Sequence, residues 1–189
     1  MKTNQQTTTA AQVDTDNLER LRYPVGRVPR GNAPADAQSR ADYLDVLEKL
    51  PAAVRSLVTG LSDAQLDTPY RPGGWTIRQL VHHLPDSHLN AYVRMKLAAT
   101  EDSPQIKTYE EARWAELPEA KNGPIAMSLD LLDALHRRWV AFLRALPEAQ
   151  WRRPFSHPEW GVVPIEESLM MYAWHCRHHT EHIRRGTGR

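Results

Sequence analysis

Residues 45–75 read DVLEKLPAAVRSLVTGLSDAQLDTPYRPGGW, and residues 130–160 read DLLDALHRRWVAFLRALPEAQWRRPFSHPEW. The two stretches align without a gap at one constant offset. The matching pairs include Asp45 and Asp130, Leu47 and Leu132, Leu50 and Leu135, Leu61 and Leu146, Pro69 and Pro154, Tyr70 and Phe155, and Trp75 and Trp160. Chance can align leucines on two amphipathic helices, but it seldom also aligns a proline, an aromatic residue and a tryptophan. We interpret the chain as two helix-loop-helix halves, each unable to bury its apolar face alone, that pack as a four-helix bundle.

Four segments carry apolar residues at spacings of three and four, the pattern of one buried helix face. They cover about residues 37–60, 76–100, 126–146 and 164–185. Pro51 and Pro85 fall inside the first two segments, where a proline is expected to kink or split the helix. Residues 101–124 are predicted to be a loop, and no segment alternates convincingly over the length of a strand. The predicted fold class is therefore all-α.

The N-terminal part of the chain differs from the rest. Residues 1–20 are polar and lack clear periodicity, so we predict a disordered tail. Residues 21–36 are rich in proline and glycine and predict a non-helical arm. Residues 21–189 are then a single domain that includes this arm. The Tyr23-Pro24 part of the arm could support a homodimer, or it could pack on its own domain.

Composition and charge exclude several classes of protein. The formal net charge is +1, from 24 basic and 23 acidic residues, which gives no electrostatic footprint for nucleic acid or an anionic membrane. No apolar run approaches the roughly 18 residues needed to span a bilayer. The chain has one cysteine, Cys176, and residues 1–17 carry no apolar signal core. We predict a cytoplasmic protein without disulfides.

A dense histidine cluster lies in the last predicted helix, where residues 174–182 read WHCRHHTEH. Two imidazoles four residues apart lie one turn apart on one helix face and can bind one metal ion. His175 with His179 has this spacing, and so does His178 with His182. The first pair lies nearer the centre of the apolar arc, whereas His178 lies almost opposite it and is predicted to face water. The pattern favours His175 and His179 as ligands.

The equivalent helix of the first half supplies a third candidate, His83. It belongs to a polar stripe that also contains Thr76, Gln79, Ser87, Asn90 and Arg94. Polar side chains inside a bundle are costly unless they are paired or face a cavity, so this stripe could face the C-terminal histidines. The alternative to a metal site is that His83 is a hydrogen-bonded core residue and that the two histidines of the last helix are a partly exposed pair. Neither HExxH nor the Glu-x-x-His motifs of di-iron bundles occur in these helices.

Several motifs together resemble the DinB-like superfamily, in particular its YfiT-like branch of predicted metal-dependent hydrolases. They are LRYPVG at 21–26, LDTPY at 66–70, GGWT at 73–76, VHHL at 81–84, DSHLN at 86–90 and YAWH at 172–175. The resemblance covers nearly the whole chain after about residue 21. It implies a four-helix bundle with a metal ion on His83, His175 and His179. The alternative is that the last helix supplies His178 and His182 as ligands instead of His175 and His179.

One residue departs from the family pattern. Pro85 stands where the family usually has a helix former. A kink at this position would re-aim Asp86 and Asn90, which leaves their place in the pocket open.

Three neutral imidazoles leave coordination positions open, as catalytic rather than structural metal sites do. Zinc, nickel and manganese are all compatible with this ligand set. The resemblance implies a metal-dependent hydrolase of a small-molecule substrate, in which the ion activates water. His182 is the first candidate for the general base and Asp86 the second; a surface or supporting role is the alternative for both.

Two other functions remain open at this point. The superfamily also contains thiol S-transferases, in which the metal would bind a low-molecular-weight thiol as its thiolate. Asn90 and Arg94 would then hold the carboxylates of that thiol. The third hypothesis is a non-enzymatic metal-binding or stress-response protein.

Overall fold

Four long helices form the body of the protein, as predicted. The computed structural model describes residues 17–31 and 36–189. In chain order the helices are α1 (residues 17–22), α2 (Ala37–Val58), α3 (Asp63–Leu66), α4 (Ile77–Thr100), α5 (Glu111–Trp114), α6 (Pro118–Asn122), α7 (Ile125–Arg144) and α8 (Ile165–Thr187). A 3-10 turn at Glu148–Gln150 and two strands, β1 (Pro154–His157) and β2 (Gly161–Pro164), lie between α7 and α8. Within the described ranges, no helix is both long enough and apolar enough to cross a membrane.

The two long helices within each half do not pack against one another. Helix α2 packs against α7 and α8, and α4 also packs against α7 and α8. The two long helices of each half therefore lie across the bundle from one another. Each half covers its apolar side chains with the helices of the other half, which is why neither half has a core of its own. The fully buried side chains that meet there include Leu47, Leu84, Leu132, Trp139 and Leu169.

Local signals explain where α4 begins. The Thr76 hydroxyl accepts a hydrogen bond from the Gln79 backbone N–H at 3.1 Å, and the Gln79 side chain accepts one from the Thr76 N–H at 2.9 Å. This reciprocal capping box satisfies two backbone donors at the helix start. Pro51 and Pro85 lie inside helices that continue through them, so the predicted split at Pro51 does not occur. Both prolines are buried, and packing offsets the lost backbone hydrogen bonds.

Short elements were missed by the all-α prediction and the predicted loop. Strands β1 and β2 form an antiparallel hairpin in which Phe155 pairs with Val163. The N–H of Ile106 donates to the Ser156 carbonyl at 3.0 Å, which ties the segment before α5 to this hairpin. Helices α5 and α6 lie inside the range 101–124 that we predicted to be a loop. Four- and five-residue elements are too short to show a period.

The N-terminal arm packs on α8 of its own chain. Residues 1–16 of the predicted tail lie outside the described residues, whereas residues 17–20, predicted to be disordered, belong to α1. Residues 23–31 follow without a helix, and the Trp174 indole N–H donates to the Gly26 carbonyl at 3.1 Å. The Gly31 N–H donates to Glu167 at 3.1 Å. The Arg185 guanidinium also donates to the Arg20 carbonyl at 3.4 Å, so the end of the predicted tail contacts α8 as well.

Candidate metal centre

A cavity of about 620 Å³ lies beside α4 and α8 and reaches the N-terminal arm. Its wall contains His83, Ser87 and Arg94 from α4 and a row of histidines from α8. Tyr23 of the arm, Tyr109 of the loop before α5 and Trp160 of the hairpin turn complete it. The predicted polar stripe of the second long helix does therefore face a cavity, at three of its positions.

His83, His175 and His179 meet in this wall. One ring nitrogen from each lies within 4.8 Å of the other two. The Nε2 atoms of His83 and His175 are 3.3 Å apart. Two nitrogens that each lie about 2.1 Å from one ion at a tetrahedral angle are about 3.4 Å apart. The three residues predicted from the sequence are thus close enough to hold one transition-metal ion.

A second histidine group shares one member with the first. His178, His179 and His182 also have ring nitrogens within 4.8 Å of one another, and all three come from α8. His178, predicted to face water, is instead buried. The Trp174 ring stacks on it at 4.4 Å, and Tyr23 of the arm lies 6.3 Å away. The arm explains the difference, because helical phase alone cannot report what a distant segment covers.

Burial keeps the candidate ligands neutral. Desolvation lowers the pKa of His83 from 6.5 to about 4. It also holds the pKa values of His175 and His179 well below 6.5, and the neighbouring histidines lower them further. A neutral imidazole has a free ring-nitrogen lone pair, which is the form that binds a metal ion. At neutral pH the three side chains are therefore ready to act as ligands.

A chain of buried histidines runs from His175 into the core. The His175 Nδ1 lies 2.9 Å from the Nε2 of His88, and the His88 Nδ1 lies 2.7 Å from the Nε2 of His136. The His136 Nδ1 lies 2.6 Å from the Leu47 carbonyl oxygen. His88 and His136 are both fully buried. The sequence analysis did not identify His88 or His136 as site residues; a histidine on each of two facing apolar helix faces is the signal that could have found them.

His182, the first candidate for the general base, has partners at both ring nitrogens. Its Nε2 lies 3.2 Å from the Arg22 carbonyl oxygen, and its Nδ1 lies 3.4 Å from the Nδ1 of His179. It is buried in the cavity wall, and desolvation lowers its pKa to about 4. The structure therefore places His182 beside the ligands, with its polar atoms directed at protein groups.

Asp86 and Asn90 lie outside the cavity wall. The Asn90 side-chain amide donates to the Asp86 carbonyl at 2.9 Å and faces a separate surface depression beside Trp114. Asp86 is half-buried; desolvation, helped by the negative charge of Glu119, raises its pKa to about 6. The structure brings neither residue to the three histidines.

Arg94 is brought into the cavity wall. Only 9% of its surface is exposed, and its guanidinium donates to the Lys107 carbonyl at 2.9 Å. No carboxylate forms an ion pair with it in the part of the chain that the structure describes. Burial, followed by the positive charge of Arg94, lowers the pKa of the nearby His157. Among the described residues, the cavity wall therefore contains a buried guanidinium without an ion-pair partner, although Glu111 and Glu159 also line the cavity.

Trp75 and Trp160, which match in the internal repeat, also line the cavity. The Trp75 ring lies 4.8 Å from the His83 ring. Trp160, its partner in the internal repeat, stacks on His157 at 4.3 Å. The repeat thus supplies one indole from each half to the same wall.

Comparisons with known proteins agree with the motifs and the geometry. The family model of the DinB superfamily matches residues 46–183. The chain is 45% identical over 165 residues to "Putative metal-dependent hydrolase YfiT" of Bacillus subtilis (strain 168), covering 86% of this chain and 92% of the relative.

Solved structures give the same result for the fold. YfiT from Bacillus subtilis, described as having an unusual four-helix bundle topology, superposes with a TM-score of 0.85 at 43% identity, over 89% of this chain and 97% of that one. The four-helix bundle protein TT2238 shares the fold, with a TM-score of 0.51 at 22% identity over 75% of this chain and 95% of that one. Since the motifs, the family model and the relatives agree, this chain belongs to the DinB superfamily.

Proposed function

We propose that this protein is a metal-dependent hydrolase that holds one divalent transition-metal ion on His83, His175 and His179. The observation that carries the proposal is the convergence of three neutral imidazoles, from two helices of different halves, on one point of a cavity wall. The name of the Bacillus subtilis relative supports the same class of reaction.

The ligand set suits a catalytic ion. Zinc, nickel and manganese each accept imidazole nitrogen, and three protein ligands leave a position open for water or substrate. A bound ion of this kind lowers the pKa of water and polarises the bond that is attacked. Trp75 and the arm restrict access of solvent to the three histidines. Arg94 offers a fixed positive charge in the same cavity.

The position of Arg94 favours a small substrate that carries a carboxylate or a similar anion. A buried guanidinium without an acidic partner is costly unless a ligand supplies the opposite charge. Asn90 points elsewhere, so we propose Arg94 without Asn90 as the anion-binding residue.

The general base is a separate question. Both ring nitrogens of His182 are engaged, and Asp86 lies outside the cavity wall. We propose supporting roles for both residues. Unchanged turnover of a substrate by His182→Asn would be consistent with this role, whereas a loss of turnover with metal content intact would restore His182 as a base.

Metal analysis of the purified, untagged protein is the first test. We expect one transition-metal ion per chain in the parent protein and none in His83→Ala. His82→Ala is the matched control, because His82 is also buried but bonds to Ser128 and the Gly123 carbonyl instead of facing the triad. Metal content that survives the loss of His83, or that is lost equally in the control, would contradict the site.

The activity test follows with the metal-loaded protein. A panel of ester, amide and phosphoester substrates with and without a carboxylate is assayed with the parent and His83→Ala. We expect hydrolysis that requires His83 and the ion. Tight metal binding without any reaction that depends on His83 would favour the non-enzymatic metal-binding or stress-response function.

A thiol S-transferase is the second candidate, and the Arg94 side chain is the observation that favours it. An anionic thiol could place its sulfur at the open coordination position and a carboxylate on the guanidinium. Carboxylate-bearing thiols are incubated with an electrophile and the metal-loaded protein. Conjugation that requires both the ion and Arg94 would select this activity over hydrolysis; no conjugation with any thiol would exclude it.

The remaining proposals concern the location of the protein in the cell, its partners and its oligomeric state. We propose a cytoplasmic protein without a nucleic-acid or membrane partner, in line with its balanced charge. A homodimer through the arm competes with the contacts that the arm makes on its own α8. Sedimentation of the purified chain distinguishes monomer from dimer.

A further inference from the structure

The hydrogen bonds around His175 and His179 determine which nitrogen of each of these two rings carries a proton. A neutral imidazole has one N–H donor and one acceptor nitrogen. A backbone carbonyl can only accept, so any ring nitrogen that faces it within bonding distance must be the N–H. Two histidine chains in this protein end on such carbonyls, and each one starts at a member of the triad.

The first chain of hydrogen bonds fixes the tautomer of His175. The Leu47 carbonyl requires an N–H at the His136 Nδ1, which leaves the His136 Nε2 as an acceptor. The His88 Nδ1 must then donate to it, so the His88 Nε2 accepts from the His175 Nδ1. The Nε2 of His175 is left without a proton, and this is the atom 3.3 Å from the Nε2 of His83.

The second chain fixes the tautomer of His179 and ends on the carbonyl of Arg22, near the N-terminal arm. The Arg22 carbonyl requires an N–H at the His182 Nε2, so the His182 Nδ1 is an acceptor. It faces the His179 Nδ1 at 3.4 Å, which must donate. His179 therefore also has its proton on Nδ1 and its lone pair on Nε2.

We propose that His88, His136 and His182 are positioning residues that fix His175 and His179 in the tautomer whose Nε2 binds the ion. Metal-bound histidines usually donate their other N–H to a carboxylate, a carbonyl or water. Here the acceptor is a second imidazole, and the chain continues until it reaches the backbone. The inference rests on the proposed metal site, but the tautomers exist without the ion.

The chains also explain histidines that the reaction does not require. Three imidazoles in an apolar core would each leave polar atoms unsatisfied if they stood alone, and that is costly. Because each chain ends on a backbone carbonyl, each of these imidazoles has a hydrogen-bond partner at both of its ring nitrogens. The chains add no negative charge to the site, so a bound ion keeps its full charge for an anionic ligand.

The tautomers can be read directly in the metal-free protein. Long-range proton–nitrogen NMR of the ¹⁵N-labelled chain distinguishes Nδ1–H from Nε2–H in each ring. We expect Nδ1–H at His88, His136, His175 and His179, and Nε2–H at His182. An Nε2–H form at His175 or at His179 would overturn the proposal, whether or not the protein binds metal.

A distant substitution tests the effect on the ion. His136→Leu removes the end of the first chain without touching the triad, and His82→Leu removes another buried imidazole, which has two hydrogen bonds outside both chains. Metal affinity is measured by competition with a chromophoric chelator. We expect His136→Leu to bind metal about 10- to 100-fold more weakly, with a smaller loss for His82→Leu. Equal losses in the two variants would overturn the proposal.

A second variant keeps the test decisive if His136→Leu does not fold. His182→Leu removes the other chain and is compared with the same control. We also expect His136→Gln, whose amide can both donate and accept, to recover part of the affinity. If the parent binds no metal, the proposed function fails, and the NMR tautomers alone decide whether the chains act as inferred.

Discussion

At the scale of single residues, we propose that Arg94 contributes to binding of the substrate and not to binding of the ion. Its guanidinium lies in the cavity wall, and its described partner is a backbone carbonyl. The positive charge is therefore available to a ligand, whereas the three histidines need nothing from it.

We expect Arg94→Gln to weaken binding of an anionic substrate or inhibitor by about 10-fold or more, since a charge-assisted hydrogen bond is worth roughly 1.5–3 kcal/mol. Metal content should stay at the parental level. The control is Arg71→Gln, because Arg71 also reaches the cavity but bonds to Tyr70 and the Pro72 carbonyl. The measurement is KM or an inhibition constant together with elemental analysis. Loss of metal in Arg94→Gln would contradict the separation.

At the same scale, the sequence predicted the cluster of three histidines better than its surroundings. His83, His175 and His179 were found because helical spacing and family motifs are local signals. His88 and His136 bond to each other across α4 and α7, and His136 bonds to the Leu47 carbonyl of α2. No local period connects these positions, so their link is visible only after the helices pack.

At the scale of elements, helix ends were predictable where side chains cap them. Thr76 and Gln79 begin α4 as the sequence indicates. The start of α8 was predicted to within one residue although Pro164 precedes it without a side-chain cap, because the apolar period begins there. The hairpin and the short helices α5 and α6 were missed because each is only four or five residues long.

The repeat shows how the two halves came to hold different ligands. The aligned stretches keep one offset up to Trp75 and Trp160. Helix α4 then starts at Ile77, but α8 starts at Ile165, three residues later than that offset predicts. The additional residues extend the hairpin of the second half. Counted from the helix starts, His83 therefore corresponds to Met171. The first half contributes one candidate ligand and the second half contributes two, and these positions do not correspond in the repeat.

A prediction at the scale of elements concerns the N-terminal cap of α4. We expect Thr76→Ala to lower the free energy of unfolding by about 1 kcal/mol, because a backbone donor at the helix start loses its partner. Ser62→Ala is the matched control, since Ser62 forms the same capping box on the four-residue helix α3 and should cost less. Chemical denaturation of both variants measures the difference. A larger loss for Ser62→Ala would contradict the idea that α4 depends on this cap.

At the scale of the whole molecule, buried neutral histidines make the fold sensitive to acid. Burial lowers the pKa values of His83, His136 and His182 from 6.5 to about 4. Between these pH values the unfolded chain binds more protons than the folded one, so stability falls as the pH falls. For His136 alone the shift corresponds to roughly 3 kcal/mol at 1.36 kcal/mol per pKa unit.

We therefore expect the free energy of unfolding of the metal-free protein to decrease steeply from about pH 6.5 to about pH 4. His136→Leu should show a shallower dependence than the parent, although it is less stable at pH 7. Urea unfolding at several pH values measures both slopes. A flat dependence in the parent over this range would mean that the buried imidazoles keep ordinary pKa values.

The crossed arrangement of the helices has a consequence for how the protein is made. Helix α2 does not pack on α4 and α7 does not pack on α8, and the consecutive helices α4 and α7 that do pack are separated by residues 101–124. Folding must close long loops first, which is slow compared with bundles of adjacent hairpins. During synthesis the first half leaves the ribosome without a partner for its apolar faces. His175 and His179 belong to α8, so the three histidines can come together only after α8 has been synthesised.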